Sequence, residues 1–131
     1  MRIYFARNSD PMITDTVAGL NAIAQRLRQF LRSDEPTTSL KADAAGSPEP
    51  YEVLLPGVEF AKTKGPILVE LLPERGLRVS GSPENLRTWC SYFSFRENAQ
   101  NGDHHHPEHL DRPGYIDPRT LSVIIEVEDE G

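Results

Sequence analysis

The sequence is poor in cysteine and in long apolar runs. Cys90 is the single cysteine among 131 residues, which excludes an internal disulfide and a zinc site built from several thiolates. No apolar run approaches the ~20 residues that a membrane-spanning helix needs. The first eight residues, Met1 to Asn8, lack the apolar core of a secretory signal peptide. These absences predict a cytoplasmic protein.

Positive charge is also scarce. Lys and Arg number 14 against 20 Asp and Glu, which gives a formal net charge of -6. An acidic surface repels nucleic-acid phosphates and anionic membranes. The composition therefore argues against nucleic acid and membrane as partners, and it favours a protein partner that carries a basic patch.

Catalytic signatures are missing as well. No serine sits in a nucleophile elbow, and no glycine-rich loop for phosphate is present. The stretch Gly81-Ser82-Pro83 is short and is explained by helix capping. We therefore predict no catalytic residues and no cofactor, and we do not expect an enzyme.

Two segments carry apolar residues at helical spacing, and each follows a possible cap. Asp10-Pro11 precedes the first segment and Ser82-Pro83 the second, with proline suited to the first helical position. Both helices should bury one face. The residues expected in the core are Leu20, Ile23, Leu27, Leu31, Leu86, Trp89, Cys90 and Phe93. This pattern makes Trp89 and Cys90 packing residues.

Alternating or continuous apolar residues predict the strands. They cover about 3–6, 58–62, 67–72, 77–80, 103–110 and 121–127, with a weak edge strand near 40–44 and a short ordered piece at 51–55. The short connection at 73–76 predicts an antiparallel hairpin. We expect an α+β fold of two layers, in which both amphipathic helices cover one face of a single, mostly antiparallel sheet.

Residues 1–131 should form one domain. Its halves, about 1–72 and 76–128, share an order of strand, helix, polar break and strands. This order indicates either a duplicated β-α-β-β unit or a chance likeness. The Pro-, Ser- and Thr-rich stretch 33–50 is predicted to be a mobile loop, and its role stays open.

All four histidines lie between His104 and His109. In a strand, His104, His106 and Glu108 share one face, whereas His105 and His109 share the other. Two imidazoles and a carboxylate are suitable zinc or iron ligands. However, same-face residues along a strand are about 7 Å apart and do not converge. We therefore expect a polar strand face, with metal binding by His104, His106 and Glu108 as the alternative.

The stretch from 58 to 127 resembles a bacterial family. A strand ends in Ser80-Gly81-Ser82-Pro83-Glu84 before a helix that begins with a leucine, and a His-x-His-x-Glu pattern follows at 104–108. Tyr115 then stands in a turn that ends with Pro118, before a closing Ile-Ile-Glu at 124–126. These motifs are similar to those of immunity protein family 32, the partners of bacterial polymorphic toxins. His109 and the charged run at 111–113 depart from that pattern.

The resemblance implies a non-enzymatic cytoplasmic protein that neutralises a cognate toxin. We expect its partner-binding residues to be His104, His106, Glu108, Tyr115 and Glu126. Tyr115 has a second possible role, which is to close the core over the last strand. Two other functions stay open: a metal-binding protein or metal-dependent enzyme, and a structural or regulatory module, for example a homodimer that pairs through an exposed sheet face.

Overall fold

Short runs of β-branched and aromatic residues form most of the strands in two separate sheets. The computed structural model describes residues 1–129. The strands are β1 (Arg2–Phe5), β2 (Met12–Asp15), β3 (Thr37–Lys41), β4 (Val53–Leu54), β5 (Gly57–Lys62), β6 (Leu68–Leu72), β7 (Gly76–Gly81), β8 (His104–His105) and β9 (Ile124–Val127). The helices are α1 (Val17–Arg32) and α2 (Pro83–Ser91).

The fold class α+β is confirmed, but the single two-layer sheet is wrong. The chain forms a five-stranded sheet in the order β4-β1-β2-β9-β8 and a four-stranded sheet in the order β3-β5-β7-β6. Each sheet is mixed, because β2 pairs with β9 and β5 with β7 in parallel. Apolar periodicity predicts that a strand exists but not which strand it joins. For this reason, the pattern does not predict that the closing strand β9 pairs with β2, near the start of the chain.

The first helix begins later than its sequence pattern predicts. Thr16 is its N-cap, and the Thr16 hydroxyl accepts a hydrogen bond from the Gly19 N–H at 3.1 Å. The predicted cap at Asp10-Pro11 is wrong because residues 12–15 form β2 between β1 and β9. The carbonyl of Pro11 accepts a hydrogen bond from the Ile124 N–H, so Pro11 leads into a strand.

The second helix begins where it was predicted. Ser82 is the N-cap, its hydroxyl accepts a hydrogen bond from the Asn85 N–H at 3.2 Å, and Pro83 is the first helical residue. The antiparallel hairpin of β6 and β7 directly before it is also confirmed. The helix ends at Ser91, so Phe93 lies in the turn that follows it and Phe95 in the irregular segment after that turn.

One apolar core joins both sheets and both helices. The buried residues include six of the eight predicted ones: Leu20, Leu27, Leu86, Trp89, Cys90 and Phe93. Ile23 and Leu31 are only partly buried, and Ala24 and Phe30 are buried on α1 beside Leu20 and Leu27. The rings of Trp89, Phe93 and Phe60 meet edge to face at centroid distances of 5.9–6.4 Å.

Segments predicted as strands also serve as connections. The edge strand near 40–44 lies at Thr37–Lys41 instead. The last strand starts at Ile124 because the residues before it follow the outer edge of β6, where the Leu121 N–H donates to the Val69 carbonyl at 3.0 Å. This connection joins the two sheets. Within residues 1–129, neither helix is long and apolar enough to cross a membrane.

Candidate functional site

The histidine-rich segment leaves its strand after His105. The strand predicted over 103–110 is therefore wrong beyond β8. The His109 N–H donates to the His106 carbonyl at 3.0 Å, which closes a turn. Pro107 stands at the second position of that turn, where its fixed φ is favoured, and its missing N–H cannot extend a strand ladder. His106 and His109 consequently lie at the two ends of one turn.

Tyr115 holds this turn from inside the core. Its side chain is fully buried, and its hydroxyl donates a hydrogen bond to the Pro107 carbonyl at 2.6 Å. Burial raises the pKa of Tyr115, so the phenol keeps its proton and acts as a donor. Of its two predicted roles, the buried position fits core closure, and Tyr115 is not available to a partner at the surface.

Arg112 connects the same segment to α2. Its guanidinium donates to the Asn85 amide oxygen at 2.9 Å and to the Thr88 hydroxyl at 3.1 Å. It also lies 4.9 Å from the centroid of the Tyr115 ring, within the range of a cation–π contact. The Asn85 amide in turn donates to the Gly114 carbonyl. The turn is therefore supported by both the core and a helix.

Glu108 is a carboxylate with an unusual environment. Its side chain is only 10% exposed, and Oε2 has a long contact of 3.5 Å from the Val123 N–H. Among residues 1–129, no donor hydrogen-bonds to Oε1, which is buried. The closest cationic candidates are two imidazole nitrogens, His109 Nε2 at 3.6 Å and His106 Nδ1 at 4.0 Å. Both distances exceed a good hydrogen bond.

The two imidazoles lie together beside that oxygen. The rings of His106 and His109 stack with centroids 4.5 Å apart and planes at 14°. One donor atom each from His106, Glu108 and His109 lies within 4.8 Å of the other two. We call these three residues the His-Glu-His cluster. Its membership differs from the ligand set expected from sequence, because His109 takes the place of His104.

His104 lies next to the cluster on the outermost strand. It is directly opposite Glu126 in the β8–β9 pair, and its ring meets the His106 ring at right angles, 5.0 Å away. Four of the five expected partner-binding residues, His104, His106, Glu108 and Glu126, are thus contiguous at one edge of the five-stranded sheet. We call these four residues together with His109 the histidine edge.

His105 has a packing environment instead. Its Nδ1 lies 2.7 Å from the Tyr92 carbonyl oxygen, and its ring stacks on Phe95 at 4.2 Å. The ring lines an open cleft of about 780 Å³ next to the loop that follows α2. In the part of the chain that the structure describes, the one buried side-chain polar atom without a partner is Glu108 Oε1. The cleft therefore lacks the feature that distinguishes the cluster.

Sequence reasoning missed two residues of this site. A strand over 103–110 would place His109 on the opposite face from His106, and the signal for a turn in this segment is Pro107. In the sequence, Arg112 stands out only as part of the charged run at 111–113. Its contacts to α2 span 24 and 27 positions of sequence, and no local pattern reports such a contact.

No protein-family model, no curated protein and no solved structure matches this chain. The resemblance to immunity protein family 32 therefore rests on the short motifs between residues 58 and 127. Of those motifs, the Ser-Gly-Ser-Pro-Glu stretch has a structural explanation, because Ser82 caps α2. The His-x-His-x-Glu stretch has none in strand formation, since only its first two residues belong to β8.

Proposed function

We propose that this protein is a non-enzymatic binding protein that neutralises a cognate bacterial toxin, and that the histidine edge contacts the toxin. One observation supports this proposal above all. His104 lies opposite Glu126 on paired strands, and His106 and Glu108 follow beside them. These four motif residues therefore form one continuous surface.

The position of this surface in the sheet supports the proposal. β8 is the terminal strand of the five-stranded sheet and consists of two residues. A terminal strand leaves backbone N–H and C=O groups on one side for another chain. The short length of β8 limits such pairing, so we assign most of the contact to side chains. His104 and His109 are exposed, and Glu126 is half-buried.

Charge suggests the chemistry of the partner. The formal net charge is -6. Glu126 lies on β9, and Glu128 and Asp129 follow directly after this strand. Carboxylates at a surface attract a basic partner and mainly raise its association rate. A toxin with a basic active-site groove is the corresponding partner, and the protein would inhibit it by covering that groove.

Co-expression tests the role directly. A candidate toxin encoded beside this chain is expressed with or without it, and growth and complex formation are measured at low and at high salt. We expect cells to survive only with the protein present, and the complex to weaken as salt screens the charges. Cell death despite abundant folded protein, with no complex at low salt, would contradict the proposal.

A matched pair of variants tests the surface. Glu126→Lys reverses a charge on the histidine edge, whereas Glu35→Lys makes the same change at an exposed position between α1 and β3. We expect Glu126→Lys to lower the association rate by at least about tenfold and Glu35→Lys to have a much smaller effect. Equal effects would indicate that net charge alone matters and that the histidine edge is not the contact surface.

A further inference from the structure

We infer that the His-Glu-His cluster, formed by His106, Glu108 and His109, is a binding site for a zinc ion. This inference goes beyond the proposed toxin-binding function and does not depend on it. It reverses the expectation, drawn from strand geometry, that the histidine segment holds no metal. That expectation assumed donors that diverge along a strand, whereas the turn gathers them within 4.8 Å.

The distances suit a shared ion. Zinc binds imidazole nitrogen and carboxylate oxygen at about 2.0–2.2 Å, so two donors on one tetrahedral ion are about 3.3–3.5 Å apart. Glu108 Oε1 lies 3.6 Å from His109 Nε2 and 4.0 Å from His106 Nδ1. Shifts of up to about half an ångström would bring these pairs to ligand spacing. The His109 ring, which stacks on that of His106, would also rotate so that its nitrogen points at the ion. The His109 side chain is 68% exposed and is free to make such a shift.

The environment of Glu108 is the second, independent observation. A buried carboxylate oxygen without a hydrogen-bond donor is costly unless a cation compensates it. Glu108 Oε1 is such an oxygen within residues 1–129, and it faces the two imidazoles. A zinc ion between these three side chains supplies the missing charge. The competing explanation is a direct imidazole–carboxylate contact without a metal, which zinc uptake distinguishes from a zinc site.

The surroundings hold the backbone of the turn and the Glu108 side chain in place before any ion binds. The His106–His109 hydrogen bond fixes the turn, and the buried Tyr115 hydroxyl fixes the Pro107 carbonyl between the ligands. The Val123 N–H approaches the second oxygen of Glu108. Partners of this kind orient metal ligands and raise affinity. The turn and its carboxylate are therefore built into the fold, and mainly the exposed His109 side chain has to move to meet an ion.

The donor set selects the class of ion. Imidazole nitrogen favours zinc and its transition-metal neighbours, whereas magnesium and calcium prefer oxygen donors alone. Three protein ligands leave one position of a tetrahedral zinc open. His109 opens to solvent, so water or one donor from another molecule can take the fourth position. His104, although adjacent, is outside the set of mutually close donor atoms.

Zinc uptake by untagged protein tests the inference. The protein is stripped with a chelator, dialysed at neutral pH against buffered zinc, and analysed for metal content, and its thermal unfolding is recorded with and without zinc. Wild type should bind one zinc per chain and unfold at a higher temperature with zinc. His109→Ala should bind zinc at least about tenfold more weakly, because it removes a ligand at an exposed position.

His104→Ala is the matched control, because it also removes one exposed histidine next to the cluster. It should bind zinc like wild type.

In contrast, Glu108→Gln should lose zinc binding. If that variant does not fold, His109→Ala still decides the question. Wild type that takes up no zinc would overturn the inference. Equal losses in His104→Ala and His109→Ala, or unchanged binding in His109→Ala, would overturn it too.

Discussion

The hydroxyl of Tyr115 donates a 2.6 Å hydrogen bond to the carbonyl of Pro107. This bond connects a fully buried side chain to the backbone of the turn that carries the His-Glu-His cluster. Residues that belong to the same family-like motifs therefore have different structural roles. Tyr115 positions the turn from inside the core, and the histidines and Glu108 form the opposite side of the turn.

Removal of that hydroxyl should destabilise the protein. Tyr115→Phe leaves the Pro107 carbonyl without its donor, which should lower the free energy of unfolding by about 1–3 kcal/mol. Tyr51→Phe is the control, because the Tyr51 hydroxyl makes only a 4.0 Å contact with a methionine sulfur. Urea unfolding compares the two variants. Equal and small losses would show that the Tyr115 hydrogen bond does not support the turn.

The start of α1 gives a second prediction. Thr16→Ala removes the oxygen that accepts the Gly19 N–H and should cost about 1 kcal/mol. Asp10→Ala should change the free energy of unfolding by less than about 0.5 kcal/mol, since Asp10 is exposed and stands before β2. Denaturant titrations measure both. The reverse order of effects would restore Asp10 as the cap.

The aromatic centre of the core gives a third prediction. Trp89 is 1% exposed and contacts the rings of Phe60 and Phe93. Trp89→Ala should lower the free energy of unfolding by about 3–5 kcal/mol through lost burial and the cavity that remains. Arg87→Ala, on the exposed side of the same helix, should have little effect. A loss below about 1 kcal/mol at Trp89 would contradict its place in the core.

Asp117 offers a test by titration. Hydrogen bonds from the side chain and backbone of Arg119 lower the pKa of Asp117 from 3.8 to about 2. Because the folded-state pKa of Asp117 is depressed, its hydrogen bonds with Arg119 stabilise the fold fully above the ordinary pKa of 3.8. This stabilisation is lost as the pH falls towards about 2. Arg119→Ala should move the pKa of Asp117 back towards 3.8, as measured by NMR of the carboxyl carbon. An unchanged pKa would contradict the pairing.

Local features of the fold were predictable, and pairing was not. Ser82-Pro83 marked the start of α2 because capping chemistry acts over a few residues. The Pro73–Gly76 connection similarly marked the β6–β7 hairpin. The division into two sheets depends on the parallel pairs β2–β9 and β5–β7. The strands β2 and β9 are more than a hundred residues apart in sequence, and no local sequence pattern in either strand indicates which strand it pairs with.

The site was predictable only as a list of residues. The sequence indicates that the histidines and Glu108 contribute to a site, yet a strand over 103–110 would place His106 and His109 on opposite faces. Pro107 cannot donate to a strand ladder, and the resulting turn brings both rings to the same side. The contact of Glu108 with the Val123 N–H and the hydrogen bond from Tyr115 to the Pro107 carbonyl form only in the folded chain, and no local sequence pattern reports them.

A crystal of untagged protein soaked in zinc tests most directly whether the His-Glu-His cluster binds the ion. Anomalous diffraction at the zinc absorption edge locates the ion without prior assumptions about its ligands. We expect one strong peak at about 2.0–2.2 Å from donor atoms of His106, Glu108 and His109. A peak at His104 or His105 instead, or no peak at the turn under saturating zinc, would contradict the account.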